Sequence, residues 1–172
     1  MPILSDVAFE LRLHKILYLL DQFENPKEIR ILDFGCGAKR MANALTAKGY
    51  KVETLDNDSS YNPTYCVDGA NTGLPDNSFD LIYAFEVLEH GWFEKEISRI
   101  LKPGGNLLFT IPNPDMEWLL DWFIRAGLVK GKHTPHVNLV YPSDHETENL
   151  KINDVDTYLF SMGFLGLMEK VK

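Results

Sequence analysis

Apolar positions in this chain fall into short continuous runs that alternate with longer, spaced series. Between residues 7 and 22, Val7, Leu11, Leu13, Ile16, Leu17 and Leu20 lie mostly on one face, with charges between them. That spacing predicts an amphipathic helix, closed by Asn25-Pro26. Ile29 to Phe34 is a short apolar run of strand length that passes straight into Gly35-Cys36-Gly37. Residues 39–48 are good helix formers, and Gly49 suits the position after a helix end. The alternation then repeats. Tyr50 to Leu55 reads as a strand and ends in Asp56-Asn57-Asp58; Tyr65-Cys66-Val67 is short, apolar and ends at Asp68. Residues 70–78 are turn-rich. Phe79 to Phe85 is a further strand, followed by a helix through about Leu101. Lys102-Pro103-Gly104-Gly105 is a strong turn signal, and Asn106 to Ile111 is the next strand, closed by Pro112-Asn113-Pro114.

Beyond Pro114 the pattern weakens. Met116 to Leu128 predicts a helix containing Trp118 and Trp122. Residues 129–149 read as a polar loop with His133, His136 and His145. A helix is predicted over 153–162, with Asn153 as its N-cap and Gly163 at its end. Phe164 to Met168 reads as a last strand. Strands that alternate with helices build βαβ units, so the expected fold is α/β with a doubly wound, mostly parallel sheet. Ligands in such sheets bind outside the carboxyl ends of the strands. Here those ends are Asp33-Phe34-Gly35-Cys36-Gly37, Asp56-Asn57-Asp58, Asp68-Gly69 and Phe85-Glu86, so each carries a carboxylate.

Composition narrows the class. The chain has 172 residues, enough for one domain with a core of its own. Its formal net charge of −8 disfavours a broad nucleic-acid surface, which needs a basic face. Two cysteines, Cys36 and Cys66, make no disulfide framework, and a reducing cytoplasm is expected. The first residues lack the features of a signal peptide, no run approaches a membrane span, and no membrane partner is expected.

Gly35 and Gly37 allow a tight turn and close approach of the backbone to a ligand, and the helix that follows points free N–H groups at it. The dinucleotide fingerprint Gly-x-Gly-x-x-Gly fails at its sixth position, which is Arg40. Asp56 follows Gly37 by 19 residues, the placement of a carboxylate that holds two ribose hydroxyls. Cys36 reads as a small residue that fits the turn, with no partner base nearby in the sequence.

These blocks, ILDFGCG, TLDND, CVDGANTGLPDNSFDLIYAFEVLEH and RILKPGGNLLFTIPNP, resemble the class I S-adenosylmethionine-dependent methyltransferases in order over 29–114. The resemblance implies a Rossmann-like sheet of seven strands and S-adenosylmethionine as cofactor. It places Asp33, Gly35, Cys36 and Gly37 at the methionine part and Asp56, with Asn57, at the ribose. Asp68 would reach the adenine amino group with Gly69 and Ala70 beside the ring, and Phe85 and Glu86 would floor the pocket. The residues themselves agree: a carboxylate-lined mouth suits a sulfonium and an ammonium and repels a pyrophosphate, which counts against a nicotinamide dinucleotide. Two departures stand out. Lys39 occupies the place of a third glycine, where its side chain would crowd the site. The chain also ends soon after the last predicted strand, so the final antiparallel strand of the sheet is expected to be missing.

Glu86, Glu89 and His90 have the spacing of one helix face. They fit either helix-start packing, a general base (His90) toward a substrate hydroxyl, or a metal set completed by His133 or His136; no metal is assigned. Trp118, Trp122 and Phe123 suit a core or lid helix, or an aromatic wall facing a substrate. The expectation is a single domain, residues 1–172, with its cofactor core at 29–114 and the acceptor covered by 1–24 and 114–150. The expected activity is O-methylation of a small-molecule acceptor by in-line transfer. An RNA methyltransferase, or a non-catalytic binding module that keeps the fold, is the alternative.

Overall fold

The structure, a computed structural model, describes residues 3–128 and 141–171. Helix α1 (Ile3–Leu20) precedes strand β1 (Ile31–Phe34), helix α2 (Arg40–Ala47), and strands β2 (Val52–Asp56) and β3 (Tyr65–Cys66). Strand β4 (Phe79–Phe85), helix α3 (Glu94–Ile100) and strand β5 (Leu101–Pro112) follow. Helix α4 (Glu117–Arg125) leads to strands β6 (Leu150–Tyr158) and β7 (Gly163–Lys170). The sheet has seven strands in the order β3-β2-β1-β4-β5-β7-β6. Strands β1 to β5 pair in parallel, and β7 runs antiparallel to both β5 and β6. The strand order reverses between β1 and β4, which makes that junction the binding crevice of a doubly wound sheet.

Alternation along the strands builds two cores. Leu32, Phe34, Ile82, Ala84, Leu107, Phe109 and Ile111 face the side covered by Ile97 and Ile100 of α3. Ile31, Leu81, Tyr83 and Leu108 face the other side. There Leu13, Ile16, Leu19 and Leu20 of α1 and Met41 and Leu45 of α2 cover them.

Two expectations are corrected at the C-terminal end. Residues 153–162 do not form a helix, and Asn153 is no N-cap: this stretch belongs to β6 and the turn after it. The register of β6 against β7 slips between Ile152 and Asp154. The slip leaves Leu150, Ile152, Val155 and Tyr158 as its more buried positions, and the last three, three apart, mimic a helical period. Gly163 starts β7 rather than ending a helix. The final antiparallel strand is present, because β6 supplies the strand that the helix assignment had concealed. The helix expected from Phe85 onward is also divided, into a 3-10 turn over Leu88–His90 and then α3. In β5, Lys102–Gly105 bulges out where the turn signal stood, between the pairings Phe79↔Leu101 and Leu81↔Asn106.

Ile16 is fully buried where α1 meets the sheet. Ile16→Ala removes that contact and leaves a cavity, so a loss of about 2–5 kcal/mol is expected. Urea unfolding of the full chain measures it.

Candidate functional site

The carboxyl ends of β1, β2, β3 and β4 open on one edge of the sheet, and the residues there are joined directly. The backbone N–H groups of Gly35 and Cys36 both donate to the Leu55 carbonyl, at 2.8 and 2.9 Å. The Gly37 N–H donates to Oδ2 of Asp56 at 2.9 Å, while Oδ1 of Asp56 accepts from the Asp58 N–H at 3.0 Å. Each oxygen keeps a further lone pair for a ligand. Gly35 is needed as glycine: its φ is +74°, and a Cβ there would lie 2.5 Å from a methyl of Val87. The turn after β4 is thereby packed against the turn after β1. Asp68 accepts from the Ala70 N–H at 2.9 Å, which shapes the turn after β3, and Gly69 lies against the Phe34 ring.

Lys39 does not crowd this mouth. It caps α2 in a left-handed conformation, and its Nζ donates to the Asn62 carbonyl at 2.7 Å, tying the glycine turn to the loop after β2. Cys36 is buried, and burial first, then the charges of Asp33 and Asp56, push its thiol up to about 11. It is an inert packing residue at neutral pH. Asp33 is also buried. Desolvation pushes its carboxyl up to about 7, with the nearby Asp56 charge adding to the shift and the Ala42 amide opposing it. The buried Tyr83 hydroxyl beside it makes no hydrogen bond of ordinary geometry.

Glu86, Glu89 and His90 do not share a helix face. Glu86 follows β4 in a left-handed backbone conformation (φ 57°), a strained state for a non-glycine residue. Leu88–His90 is a single 3-10 turn that buries Glu89 and leaves His90 exposed. Among the described residues, no group of three or more His, Cys, Asp or Glu side chains is arranged to hold a metal ion. His133 and His136 lie outside the described residues. His145 is a core residue: its Nδ1 pairs with Glu94, and its ring packs near Trp92 and Phe109.

A polar cluster that the sequence reading missed surrounds Glu86. Its Oε1 accepts from the Arg12 guanidinium, from the Thr110 hydroxyl at 3.0 Å and from the Tyr158 hydroxyl at 2.7 Å. Arg12 also donates to Tyr158 Oη at 2.5 Å, and its guanidinium lies 5.4 Å from the ring centroids of both Phe85 and Tyr158. Burial and then Glu86 raise the Tyr158 hydroxyl above its usual range, so it stays a neutral donor. Burial, and then the Glu86 charge, push Glu89 up to about 8. Arg12 Nε and Glu89 Oε2 are buried without a hydrogen-bond partner. A signal was present in the sequence. Arg12 falls in the row Ala8, Arg12, Ile16, Leu20, whose other members are all buried, and a charge on a buried helix face needs a partner.

A protein family described as a methyltransferase domain matches residues 7–144. An uncharacterized protein of Methanocaldococcus jannaschii, MJ0638, is 35% identical over 123 residues, 66% of this chain and 54% of that protein. A probable S-adenosylmethionine-dependent methyltransferase of Mycobacterium tuberculosis, Rv3030, is 28% identical over 80% of this chain and 49% of its own length. A ubiquinone biosynthesis O-methyltransferase of Paracidovorax citrulli is 27% identical over 69% of this chain and 60% of its own. This chain thus spans about half the length of the first curated relatives it matches. The crystal structure of a SAM-dependent methyltransferase from Methanosarcina mazei superposes with a TM-score of 0.62 at 17% identity, over 90% of this chain and 97% of that one.

Asp33 and Glu89 give the site a pH signature. In the unfolded chain they titrate near 3.8 and 4.5; in the folded protein they hold their protons to about 7 and about 8. Between those limits the unfolded state binds fewer protons, so stability falls as pH rises. The double variant Asp33→Asn, Glu89→Gln lacks both groups. It is expected to match wild type in relative terms near pH 4 and to gain on the order of a few kcal/mol on it by about pH 8, read from denaturant midpoints across that range.

Proposed function

The chain belongs to the methyltransferase-domain family, and from that premise we propose that it transfers a methyl group from S-adenosylmethionine to a hydroxyl of a small-molecule acceptor in the cytoplasm. The observation that carries the cofactor half is the bond from the Gly37 amide to Asp56, which joins the glycine turn to the carboxylate at the end of the next strand. The donor set fits such a ligand. Asp33, Asp56, Asp68 and Glu86 ring the mouth with negative charge or its potential, which favours a cationic centre and vicinal hydroxyls and disfavours phosphates. With Lys39 tied to Asn62, no cation from the glycine turn competes for that place.

In this reading Asp33, Gly35, Cys36 and Gly37 hold the methionine part, and Asp56 and Asn57 the ribose. Asp68, Gly69 and Ala70 hold the adenine; Phe85 and Glu86 form the floor. When bound, the cofactor supplies a methyl group on a sulfonium, a leaving group that needs no protonation. The chain's own residues therefore act mainly by alignment, and orientation alone is worth about 7–11 kcal/mol in favourable cases. His90, exposed at the end of the 3-10 turn four residues after Glu86, is the proposed proton acceptor at the rim. Helix α1 and helix α4 flank the acceptor. The likeness to a ubiquinone biosynthesis O-methyltransferase supports oxygen as the atom methylated, and the net charge of −8 argues against RNA.

Calorimetric titration of the full chain with S-adenosylmethionine and S-adenosylhomocysteine tests the cofactor assignment, with NAD as control. Binding of both is expected, with no NAD binding and a loss of about 30-fold or more in Asp56→Ala, a charged hydrogen-bonding group being worth a few kcal/mol. Binding of NAD alone, or of neither nucleoside, overturns the proposal.

A further inference from the structure

Oxygen Oε1 of Glu86 is saturated: Arg12, Thr110 and Tyr158 all donate to it. None of these bonds goes to Oε2, and the Glu86 side chain is 39% exposed although its neighbours in the cluster are mostly buried. Three separate elements, α1, β5 and β6, thus fix one oxygen of a residue in the turn after β4, and none of their bonds reaches the other oxygen. The backbone of Glu86 is held in the left-handed region to achieve this. A surface carboxylate needs no such arrangement, since water satisfies both oxygens.

The surroundings are apolar and aromatic. The Arg12 guanidinium lies over the rings of both Phe85 and Tyr158. The hairpin that carries Tyr158 continues to Phe160, 70% exposed, whose ring is stacked on Phe123 of α4 at 6.3 Å. Trp122 packs edge-on against Phe123 and is itself exposed. Hydrogen bonds from Asn113 to the Ser161 and Met162 carbonyls fasten this hairpin to the end of β5. Gly163 makes the arrangement possible, because a Cβ there would lie 2.7 Å from the Tyr158 ring.

Resting on the methyl-transfer reading above, we propose that Oε2 of Glu86 receives the hydrogen bond of the acceptor's reacting hydroxyl, and that the acceptor is a neutral hydroxyl on an apolar, ring-sized frame. An anionic acceptor is disfavoured because the charge of Arg12 is already matched by Glu86. By the same matching, a cationic acceptor gains no net attraction from the pair. As the acceptor oxygen forms its bond to the methyl carbon, the carbon–sulfur bond breaks and its electron pair stays on sulfur. The hydroxyl proton passes to Oε2 and from this exposed carboxyl to His90 or water. Arg12, Thr110 and Tyr158 are positioning residues that act through Oε1.

Three matched probes test this on the full chain saturated with S-adenosylhomocysteine: 2-naphthol, 2-methoxynaphthalene and 2-naphthoate, titrated by fluorescence. Wild type is expected to bind the naphthol about 10-fold more tightly than the other two, the scale of one charge-assisted hydrogen bond. In Glu86→Leu the naphthol and its methyl ether are expected to bind within about threefold of each other, because the acceptor atom is gone. Tyr158→Phe keeps the ring but removes one of the three donors that hold Oε1, and should lower the naphthol-to-ether ratio; it gives the same reading should Glu86→Leu fail to fold. A purely structural role would weaken all three probes together and leave the ratio unchanged. Equal affinity for naphthol and ether in wild type, a ratio that survives in both variants, tightest binding of the naphthoate, or binding of no probe overturns the proposal. Failure of wild type to bind S-adenosylhomocysteine at all would instead overturn the methyltransferase reading on which it rests.

Discussion

One carboxylate oxygen ties the molecule together at its mouth. Glu86 sits where β4 ends, and its Oε1 collects donors from α1, β5 and β6. Taking a guanidinium and a carboxylate out of water costs more than their attraction returns unless further hydrogen bonds complete the arrangement. Here Thr110 and Tyr158 complete it, and the Arg12 charge lies over the rings of Phe85 and Tyr158. Removing Arg12 or Glu86 would leave the other's charge without its partner. The N-terminal helix, the sheet centre and the C-terminal hairpin therefore meet at this carboxylate, in addition to the core that packs α1 on the sheet.

The rest of the mouth carries carboxyls that burial, and secondarily neighbouring charge, keeps protonated. Asp33 and Glu89 are buried near Asp56 and Glu86 respectively, and both keep their protons well above the ordinary carboxylate range. Such an arrangement lowers stability at neutral pH and is tolerated where it serves binding. A cationic ligand would relieve it, since a positive charge near these groups favours their ionised forms.

Backbone packing braces the mouth alongside these side-chain ties. The turns after β1 and β4 touch through Gly35 and Val87. The turn between β6 and β7 runs through Leu159, Phe160 and Ser161, all with left-handed backbone, and Asn113 holds it from across the strand end. Helix α4 stacks its Phe123 on that turn. The exposed aromatic surface of Phe160 and Trp122 is consequently presented by a braced hairpin and a helix.

The sequence by itself determined the α/β architecture, the parallel core from β1 to β5 and the glycine turn with its strand-end carboxylates. These follow from local rules: a buried strand reads as a short apolar run, a glycine stands where φ is positive, and a carboxylate at a strand end opens into the crevice. It did not determine β6. A register slip moved Ile152, Val155 and Tyr158 to a spacing of three, and an edge strand buried on one side at that spacing is indistinguishable from a helix by period alone. Nor did it determine the Glu86 cluster. Arg12, Glu86, Thr110 and Tyr158 span 146 residues from first to last, and only the folded sheet brings their elements to one place. Arg12 in a buried helical row and Thr110 inside an apolar strand showed that partners must exist. Which partners they are was decided by the strand order, because hydrogen bonds between distant residues depend on where the tertiary structure sets each element's end.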